Sequence, residues 1–187
     1  MNTPNKLTIL RIILAFICVG LILKNTLISI ILALVVFGLA SLTDFFDGYI
    51  ARKYNLISDL GKILDPIADK VLILGVFFSF FCLGIVNFWM VILIAIREVL
   101  LTVVRLFNLR KGVVQDAEII GKHKTVAQIV GILIIFLIKI LSESIPSNEI
   151  VIFLFNKFIP VLMLYIVGIT VFSGIIYFRK NRAILNK

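Results

Sequence analysis

Long apolar runs separated by short polar segments make up most of this chain. A helix needs about 20 apolar residues to cross the hydrocarbon core of a bilayer, and each run approaches that length with few charges. The pattern predicts six membrane-spanning helices, at residues 7–23, 26–51, 61–86, 88–110, 121–141 and 153–178. Because the 187 residues leave only short connections between these helices, we expect an all-α integral membrane protein with a single transmembrane domain over residues 1–187.

Basic residues are distributed unevenly between the two ends of the predicted helices. The loops after the second and fourth helices and the C-terminal tail contain Arg52, Lys53, Lys62, Arg110, Lys111, Lys122, Lys124, Arg179, Lys180, Arg182 and Lys187. The opposite connections contain Lys24, Lys139 and Lys157. Because cytoplasmic loops of membrane proteins are enriched in Lys and Arg, both termini are predicted to be cytoplasmic. On the other side, residues 142–148 are predicted to break the helix and residues 150–158 to lie along the outer interface.

Composition supports a membrane location over a soluble fold. Hydrophobic residues make up 61% of the chain and its mean hydropathy is +1.18, whereas soluble domains are roughly 45–50% apolar. The formal net charge of +9 is typical of a basic cytoplasmic face that meets anionic lipid headgroups, and nucleic acid is not expected as a partner. Cys18 and Cys82 lie inside apolar runs, where they are predicted to pack as ordinary apolar side chains.

Four of the ten acidic residues are concentrated at the predicted cytoplasmic ends of the second and third helices: Asp44, Asp47, Asp65 and Asp69. A charged side chain at the bilayer centre costs about 2.5–3.5 kcal/mol even on insertion scales, so such a cluster requires a cavity or counter-ions. The first pair is three residues apart and the second pair four, so each pair shares one helix face. If residues 53–60 fold the two helices into a hairpin, the four carboxylates converge. Converging carboxylates favour Mg²⁺ or Mn²⁺ over zinc, whereas helix capping would explain only one or two of them.

Small residues and one arginine accompany the aspartates on the same helices. Gly48 and Ala51 continue the aspartate face of the second helix, and Gly61 lies one turn before the aspartates of the third. Their small size would let a bulky ligand approach, although small residues also allow close helix packing. Arg52 could bind phosphate oxygens, or its side chain could extend to the lipid headgroups. Next to four carboxylates, the combination favours a site for a metal-bound diphosphate.

Taken as one pattern, these residues resemble the signature of the CDP-alcohol phosphotransferase family. All eight fixed positions and their spacings match in the string Asp44-x2-Asp47-Gly48-x2-Ala51-Arg52-x8-Gly61-x3-Asp65-x3-Asp69. The resemblance implies six transmembrane helices around a polar cavity that faces the cytoplasm, and it implies a homodimer. It also implies a reaction in which an alcohol hydroxyl attacks the phosphorus of a CDP-linked lipid and CMP is released.

Carried over position by position, the resemblance gives each of these residues a role. Asp44, Asp47 and Asp65 would bind metal, and Asp69 would both touch metal and accept the proton of the attacking hydroxyl. The remaining positions would line the CMP moiety of the substrate: Gly48, Ala51, Arg52 and Gly61. Two Mg²⁺ or Mn²⁺ ions would stabilise charge on the attacked phosphoryl group and on the departing CMP, with an adjacent carboxylate as general base.

A second group of charges, on the fourth and fifth predicted helices, bears on which alcohol is accepted. Arg97 and Arg105 are eight residues apart, roughly on one helix face, and Lys122 and Lys124 lie at the cytoplasmic start of the fifth helix. These side chains could bind a phosphate together, or they could be ordinary cytoplasmic charges near headgroups. Glu98 offers Arg97 a competing partner. The motif Arg-Glu-x6-Arg followed by Gly-Lys-x-Lys-Thr is similar to the branch of the family whose acceptor is glycerol 3-phosphate.

The N-terminal segment Thr-Pro-Asn-Lys-Leu-Thr-Ile-Leu-Arg also looks like that branch. One departure is His123, which stands where the branch is expected to have an apolar residue and is predicted to be interfacial. We therefore predict an enzyme of the inner cell membrane that uses CDP-diacylglycerol and glycerol 3-phosphate. One alternative is a sibling enzyme with serine, inositol phosphate or phosphatidylglycerol as acceptor. Another is a divalent-cation transporter, which would need no small-residue cradle beside Arg52 and usually shows a repeat symmetry that this sequence lacks.

Overall fold

The structure is a computed structural model that describes the backbone of residues 3–53, 59–110 and 119–185 and the side chains of residues 7–43, 67–104 and 123–179. Every element in this described backbone is a helix. The helices are α1 (Thr3–Leu23), α2 (Leu27–Lys53), α3 (Asp59–Cys82), α4 (Phe88–Arg110), α5 (Ile119–Ser144), α6 (Glu149–Phe153) and α7 (Ile159–Leu185), with a π-helical turn (Leu154–Phe158) between the last two. Six of them are long, so the predicted all-α fold with six helices is confirmed.

Two residues with left-handed backbone conformations mark the turns in the first half of the chain. α3 ends at Cys82 and not at the predicted residue 86, because Gly84 adopts φ 72°, which glycine does without steric penalty. Asn25, with φ 50°, lies in the turn after α1. α2 then starts with a reciprocal cap, in which the Thr26 amide donates to Ser29 Oγ at 2.9 Å and the Ser29 amide donates to Thr26 Oγ1 at 3.3 Å. Such a cap satisfies amides that the first turn leaves without helical partners.

The segment before the last helix is itself helical. Residues 150–158, which are predicted to lie along the outer interface, continue directly into α7. Their helix starts at Asn148, whose Oδ1 accepts hydrogen bonds from the amides of Ile150 at 2.9 Å and Val151 at 3.3 Å. Phe153 and Ile159 on either side of the π turn keep right-handed helical dihedrals. The cap at Asn148 therefore starts helical structure at Glu149, four residues before the predicted start of the last span at residue 153.

Three phenylalanines join α2, α3 and α5 in the apolar interior. The Phe136 ring packs against Phe80, with centroids 5.0 Å apart and an interplanar angle of 74°, and against Phe37 at 6.0 Å. All three side chains are fully buried, and we call them the phenylalanine cluster. Around this cluster α1 packs against α2 and α3, while α4 and α5 pack against α7. Because lipid chains are as apolar as these side chains, close van der Waals packing is what favours helix association in a membrane.

Large apolar side chains cover much of the outer surface. Phe16, for example, is 67% exposed, and an outer surface rich in large apolar side chains suits contact with lipid better than contact with water. Within the described chain, His123–Ser144 and Glu149–Arg179 are long and apolar enough to cross a membrane, and Leu7–Leu23 and Leu27–Thr43 form shorter apolar helices. The surface and the apolar helices together identify a membrane protein.

Candidate active site

The four aspartates that the sequence singles out lie in α2 and α3. The backbone is helical through Asp44 and Asp47 in α2 and through Asp65 and Asp69 in α3. Each pair is therefore about one turn apart, as a shared helix face requires. Three of these side chains lie outside the described residues: Asp44, Asp47 and Asp65. The same holds for the predicted CDP-binding positions: Gly48, Ala51, Arg52 and Gly61.

Asp69 is the aspartate of this group whose side chain the structure describes. Its side chain is partly exposed, at 27%, and Lys70 Nζ donates to its Oδ2 at 3.3 Å. A partly exposed carboxylate suits the oxygen ligation of Mg²⁺ or Mn²⁺, and it also suits proton transfer, so the position of Asp69 is compatible with both predicted roles. Among the side chains described, no three from His, Cys, Asp and Glu lie together as a metal site would require.

The carboxylate of Glu98 is the centre of a buried polar cluster next to Asp69. Its side chain is 1% exposed, and its Oε2 forms an ion pair with Lys70 Nζ at 2.7 Å. Its Oε1 pairs with Arg97 Nη1 at 3.2 Å and also accepts a hydrogen bond from Lys124 Nζ. We call Glu98 and these three basic partners the Glu98 cluster. Because Lys70 contacts both Asp69 and Glu98, it connects the predicted catalytic carboxylate to this cluster.

Uncharged polar side chains from α5 and α7 extend the network. Gln128 Nε2 donates to Glu98 Oε1 at 3.5 Å and to Thr170 Oγ1 at 3.4 Å. Arg97 Nη2 donates to Ser173 Oγ at 2.8 Å, and Ser173 Oγ donates in turn to the Thr170 carbonyl at 2.9 Å. These contacts satisfy polar groups that would otherwise be buried without partners. The network therefore connects four helices: α3, α4, α5 and α7.

Gly174 in α7 provides the space through which the Arg97 side chain passes. A Cβ atom at residue 174 would lie 3.2 Å from Arg97 Cγ and 3.5 Å from its Nε. Gly168 in the same helix has nothing within 4 Å of the equivalent position. In a closely packed interior, contacts as short as those at Gly174 require the neighbouring side chain to shift. The absence of a side chain at residue 174 thus allows Arg97 to reach Glu98 and Ser173.

Two of the four residues predicted to bind the acceptor belong to the Glu98 cluster. Arg97 and Lys124 are distant in sequence but meet at the same carboxylate oxygen. Lys124 is 2% exposed, so it is not a surface charge directed at headgroups. Glu98 does contact Arg97, as the sequence suggested it could. The side chains of the other two predicted residues, Arg105 and Lys122, lie outside the part that the structure describes.

Four members of the network carry no prediction from the sequence: Lys70, Gln128, Thr170 and Ser173. Part of the signal was present, because polar residues inside apolar helices generally face a partner or a cavity. Gln128 also follows Lys124 by four residues, which places both on one face of α5. Spacing along one helix does not reveal which helix lies opposite, so the contacts to α3, α4 and α7 required the structure.

His123 stands apart from the Glu98 cluster in the contacts that the structure describes. It is exposed and lines a groove of about 400 Å³ together with Val130, Tyr165 and Ile169. The groove lies between α5 and α7 and is otherwise mostly apolar.

One family model matches most of this chain, and several known proteins are similar to it. A sequence model of the family described as CDP-alcohol phosphatidyltransferase matches residues 1–172. A Bacillus subtilis protein named CDP-diacylglycerol–glycerol-3-phosphate 3-phosphatidyltransferase is 35% identical over 96% of this chain and 95% of its own length. A Rickettsia bellii protein of the same name is 40% identical over 73% of this chain and 75% of its own. A third, from Mycoplasma genitalium, is 39% identical over 64% of this chain and 51% of its own length.

Proposed function

Because the chain belongs to the CDP-alcohol phosphatidyltransferase family, we propose that it transfers the phosphatidyl group of CDP-diacylglycerol to glycerol 3-phosphate. The products are phosphatidylglycerophosphate and CMP, in the biosynthesis of phosphatidylglycerol. The names of the Bacillus subtilis and Rickettsia bellii relatives support this reaction. The structural observation that carries the choice of acceptor is the Glu98 cluster, in which three basic side chains lie close to Asp69.

Charge in the cluster favours an anionic acceptor. Lys70, Arg97 and Lys124 bring three cationic groups to Glu98, beside Asp69. The phosphate of glycerol 3-phosphate can accept charge-assisted hydrogen bonds from such groups. Serine carries no phosphate. The residues proposed to bind the acceptor phosphate are Arg97, Arg105, Lys122 and Lys124.

Asp69 is the proposed general base of the transfer. Its carboxylate removes the proton of the attacking hydroxyl while the new oxygen–phosphorus bond forms and the bond between phosphorus and the CMP oxygen breaks. CMP departs with the electron pair of that bond. A carboxylate is a weak base for an alcohol, so transfer of the proton late in the step suits it. Lys70, 3.3 Å from Asp69 Oδ2, would hold the carboxylate in orientation.

The other carboxylates are proposed to hold divalent cations. Asp44, Asp47 and Asp65, together with Asp69, provide all-oxygen ligation that suits two ions of Mg²⁺ or Mn²⁺. When bound, such ions neutralise charge on the diphosphate as CMP leaves. The CDP moiety is proposed to lie against the small-residue face and its neighbouring arginine: Gly48, Ala51, Arg52 and Gly61.

The proposed location is the inner cell membrane, with a multi-pass topology and with both termini and the active site on the cytoplasmic side. The basic loops after the second and fourth helices support this orientation. Such an arrangement lets CDP-diacylglycerol enter from the bilayer while glycerol 3-phosphate and CMP exchange with the cytoplasm. A homodimer is proposed from the family resemblance.

An acceptor panel tests the proposal. Purified protein in lipid–detergent micelles is incubated with CDP-diacylglycerol, Mg²⁺ or Mn²⁺, and either glycerol 3-phosphate, serine, inositol phosphate or phosphatidylglycerol, and CMP release is measured. We expect release with glycerol 3-phosphate at a rate well above that with each other acceptor. Release with one of the others but not with glycerol 3-phosphate would contradict the proposed acceptor and favour a sibling activity.

A further inference from the structure

Glu98 is a buried charge that contacts Lys70, Arg97, Lys124 and Gln128, yet the proposed reaction gives it no step. Both of its carboxylate oxygens are engaged by protein groups: Oε2 by Lys70, and Oε1 by Arg97, Lys124 and Gln128. The side chain is 1% exposed and paired with basic groups on both oxygens, so it is not open to substrate or solvent. Its chemistry is therefore directed at its neighbours.

Unlike the Glu98 carboxylate, the ammonium groups of Lys70 and Lys124 can each contact more than one anion. Each ammonium group has three N–H donors. Lys70 donates a hydrogen bond to Asp69 and forms an ion pair with Glu98, and Lys124 donates a hydrogen bond to Glu98. Both lysines can therefore contact a further anion while remaining paired with Glu98. One carboxylate thus holds two cations from different helices, α3 and α5, without consuming their capacity to bind phosphate.

Stability alone is a poor explanation for this arrangement. Replacing a buried group of charges by well-packed apolar side chains is often neutral or stabilising, and the phenylalanine cluster shows that apolar contacts already join α3 to α5. The cluster also brings the ammonium groups of Lys70 and Lys124 to one carboxylate beside Asp69, and cationic N–H donors are the groups that form strong hydrogen bonds with a phosphate. The Glu98 cluster has the composition expected of a prearranged anion site.

We propose that Glu98 is a positioning residue that fixes Lys70 and Lys124 in the orientation needed to bind the anionic group of the acceptor, without itself touching substrate. The inference rests on the proposed function. It adds Lys70 to the residues that face the acceptor, and it makes the Lys70 contact to Asp69 a direct connection between acceptor binding and the general base.

The test is steady-state CMP release by the purified full chain, with the acceptor varied at saturating CDP-diacylglycerol and the reverse. The variants are Glu98→Gln, Glu98→Asp and the control Glu143→Gln. Glu143 also pairs with a lysine, Lys139, at 2.6 Å in α5, but it lies outside the Glu98 cluster. Removing a group that orients binding residues commonly lowers binding or activity by about 10- to 100-fold.

We expect Glu98→Gln to raise the KM for glycerol 3-phosphate within that range, while the KM for CDP-diacylglycerol stays close to that of the unsubstituted protein. Glu98→Asp keeps the charge on a shorter side chain and should restore part of the lost acceptor binding. Glu143→Gln should leave both KM values unchanged. An unaltered acceptor KM in Glu98→Gln would overturn the proposal. If both KM values rise together and Glu98→Asp restores neither, Glu98 has a merely structural role. That result would also overturn the proposal.

Two further experiments cover the cases in which Glu98→Gln does not fold or the acceptor is not glycerol 3-phosphate. If Glu98→Gln does not fold, Lys124→Arg retains the positive charge but changes its geometry, and an acceptor KM equal to that of the unsubstituted protein would contradict the proposal. If the unsubstituted protein releases CMP only with a different acceptor, the proposed function fails on that result alone. The Glu98 variants are then compared with the acceptor that works, where an unchanged acceptor KM overturns the positioning role.

Discussion

The phenylalanine cluster and the Glu98 cluster both join α3 to α5, but they do so through different physical interactions. Phe80 and Phe136 meet by shape alone, with ring centroids 5.0 Å apart. Lys70 and Lys124 meet through a third residue, Glu98, and each contact depends on charge and direction. Apolar packing tolerates side chains of similar volume, whereas a buried charge that loses its partner becomes strongly unfavourable. We therefore expect the phenylalanine cluster to contribute mainly to stability, whereas the role proposed for the Glu98 cluster is in binding the acceptor.

Removing the carboxylate next to the Glu98 cluster should have the largest effect on activity. Asp69→Asn is expected to lower the rate of CMP release by at least about 100-fold, because a positioned general base typically contributes 10²- to 10⁴-fold. Metal-dependent thermal stabilisation should be kept in part, since the other three aspartates are unchanged. The measurement is CMP release together with the melting temperature at several Mg²⁺ or Mn²⁺ concentrations. Equal loss of activity and of metal-dependent stabilisation would show that Asp69 acts only as a ligand.

A truncation in the phenylalanine cluster should lower stability and leave activity unchanged. Phe136→Ala removes a fully buried ring and is expected to lower the free energy of unfolding by about 3 kcal/mol or more, as other buried Phe→Ala changes do. The kcat and both KM values of the folded fraction should stay close to those of the unsubstituted protein. Phe172, which is 60% exposed in α7, provides the control, because Phe172→Ala creates no cavity. A fall in kcat without a fall in stability would contradict the expectation that the phenylalanine cluster contributes mainly to stability.

Replacing one lysine of the Glu98 cluster should act on the acceptor in particular. Lys124→Gln is expected to raise the KM for glycerol 3-phosphate by roughly 10- to 100-fold, because a hydrogen bond to a charged group contributes about 1.5–3 kcal/mol. Lys139→Gln is the matched control, since Lys139 is also a largely buried lysine of α5 paired with a glutamate. Steady-state CMP release measures both variants. Equal effects of the two substitutions would indicate that any buried lysine of α5 matters to the same degree.

The smallest effect is expected at Gly174. In Gly174→Ala the added Cβ would lie 3.2 Å from Arg97 Cγ, and a small overpacking of this kind costs about 1 kcal/mol. Arg97 would shift relative to Glu98 and Ser173, so the acceptor KM should rise by a few-fold. Gly168→Ala in the same helix has open space around the new atom and should leave that KM unchanged. A larger effect at residue 168 than at residue 174 would contradict the role assigned to Arg97.

The two clusters also differ in how well the sequence predicted them. The apolar runs predicted six long helices because hydrophobic length is written directly in the sequence, and Asp69 was identified because its spacing from Asp65 matches a family pattern. The burial of Phe37, Phe80 and Phe136 was not predicted, since an apolar helix in a membrane has no single polar face that would reveal which side is inside. Glu98 was noticed only as a neighbour of Arg97, because its contacts to Lys70 and Lys124 depend on how three helices are placed.

The sequence also predicted two helix boundaries inaccurately. Gly84 ends α3 early because of its left-handed backbone, and a glycine in a polar-poor segment gives little indication of that conformation. Asn148 starts the last helical region early, although its N-cap chemistry can be recognised in the sequence once the helix is known. In both places a single backbone conformation outweighed the hydropathy pattern.

The most direct test of the account is the stoichiometry of the proposed transfer. Purified protein is incubated with CDP-diacylglycerol, radiolabelled glycerol 3-phosphate and Mg²⁺ or Mn²⁺, and label in the lipid extract is compared with CMP in the aqueous phase. The account predicts one labelled lipid formed for each CMP released, and no labelled lipid when EDTA removes the metal. CMP release without label in the lipid, or labelling that continues in EDTA, would contradict it.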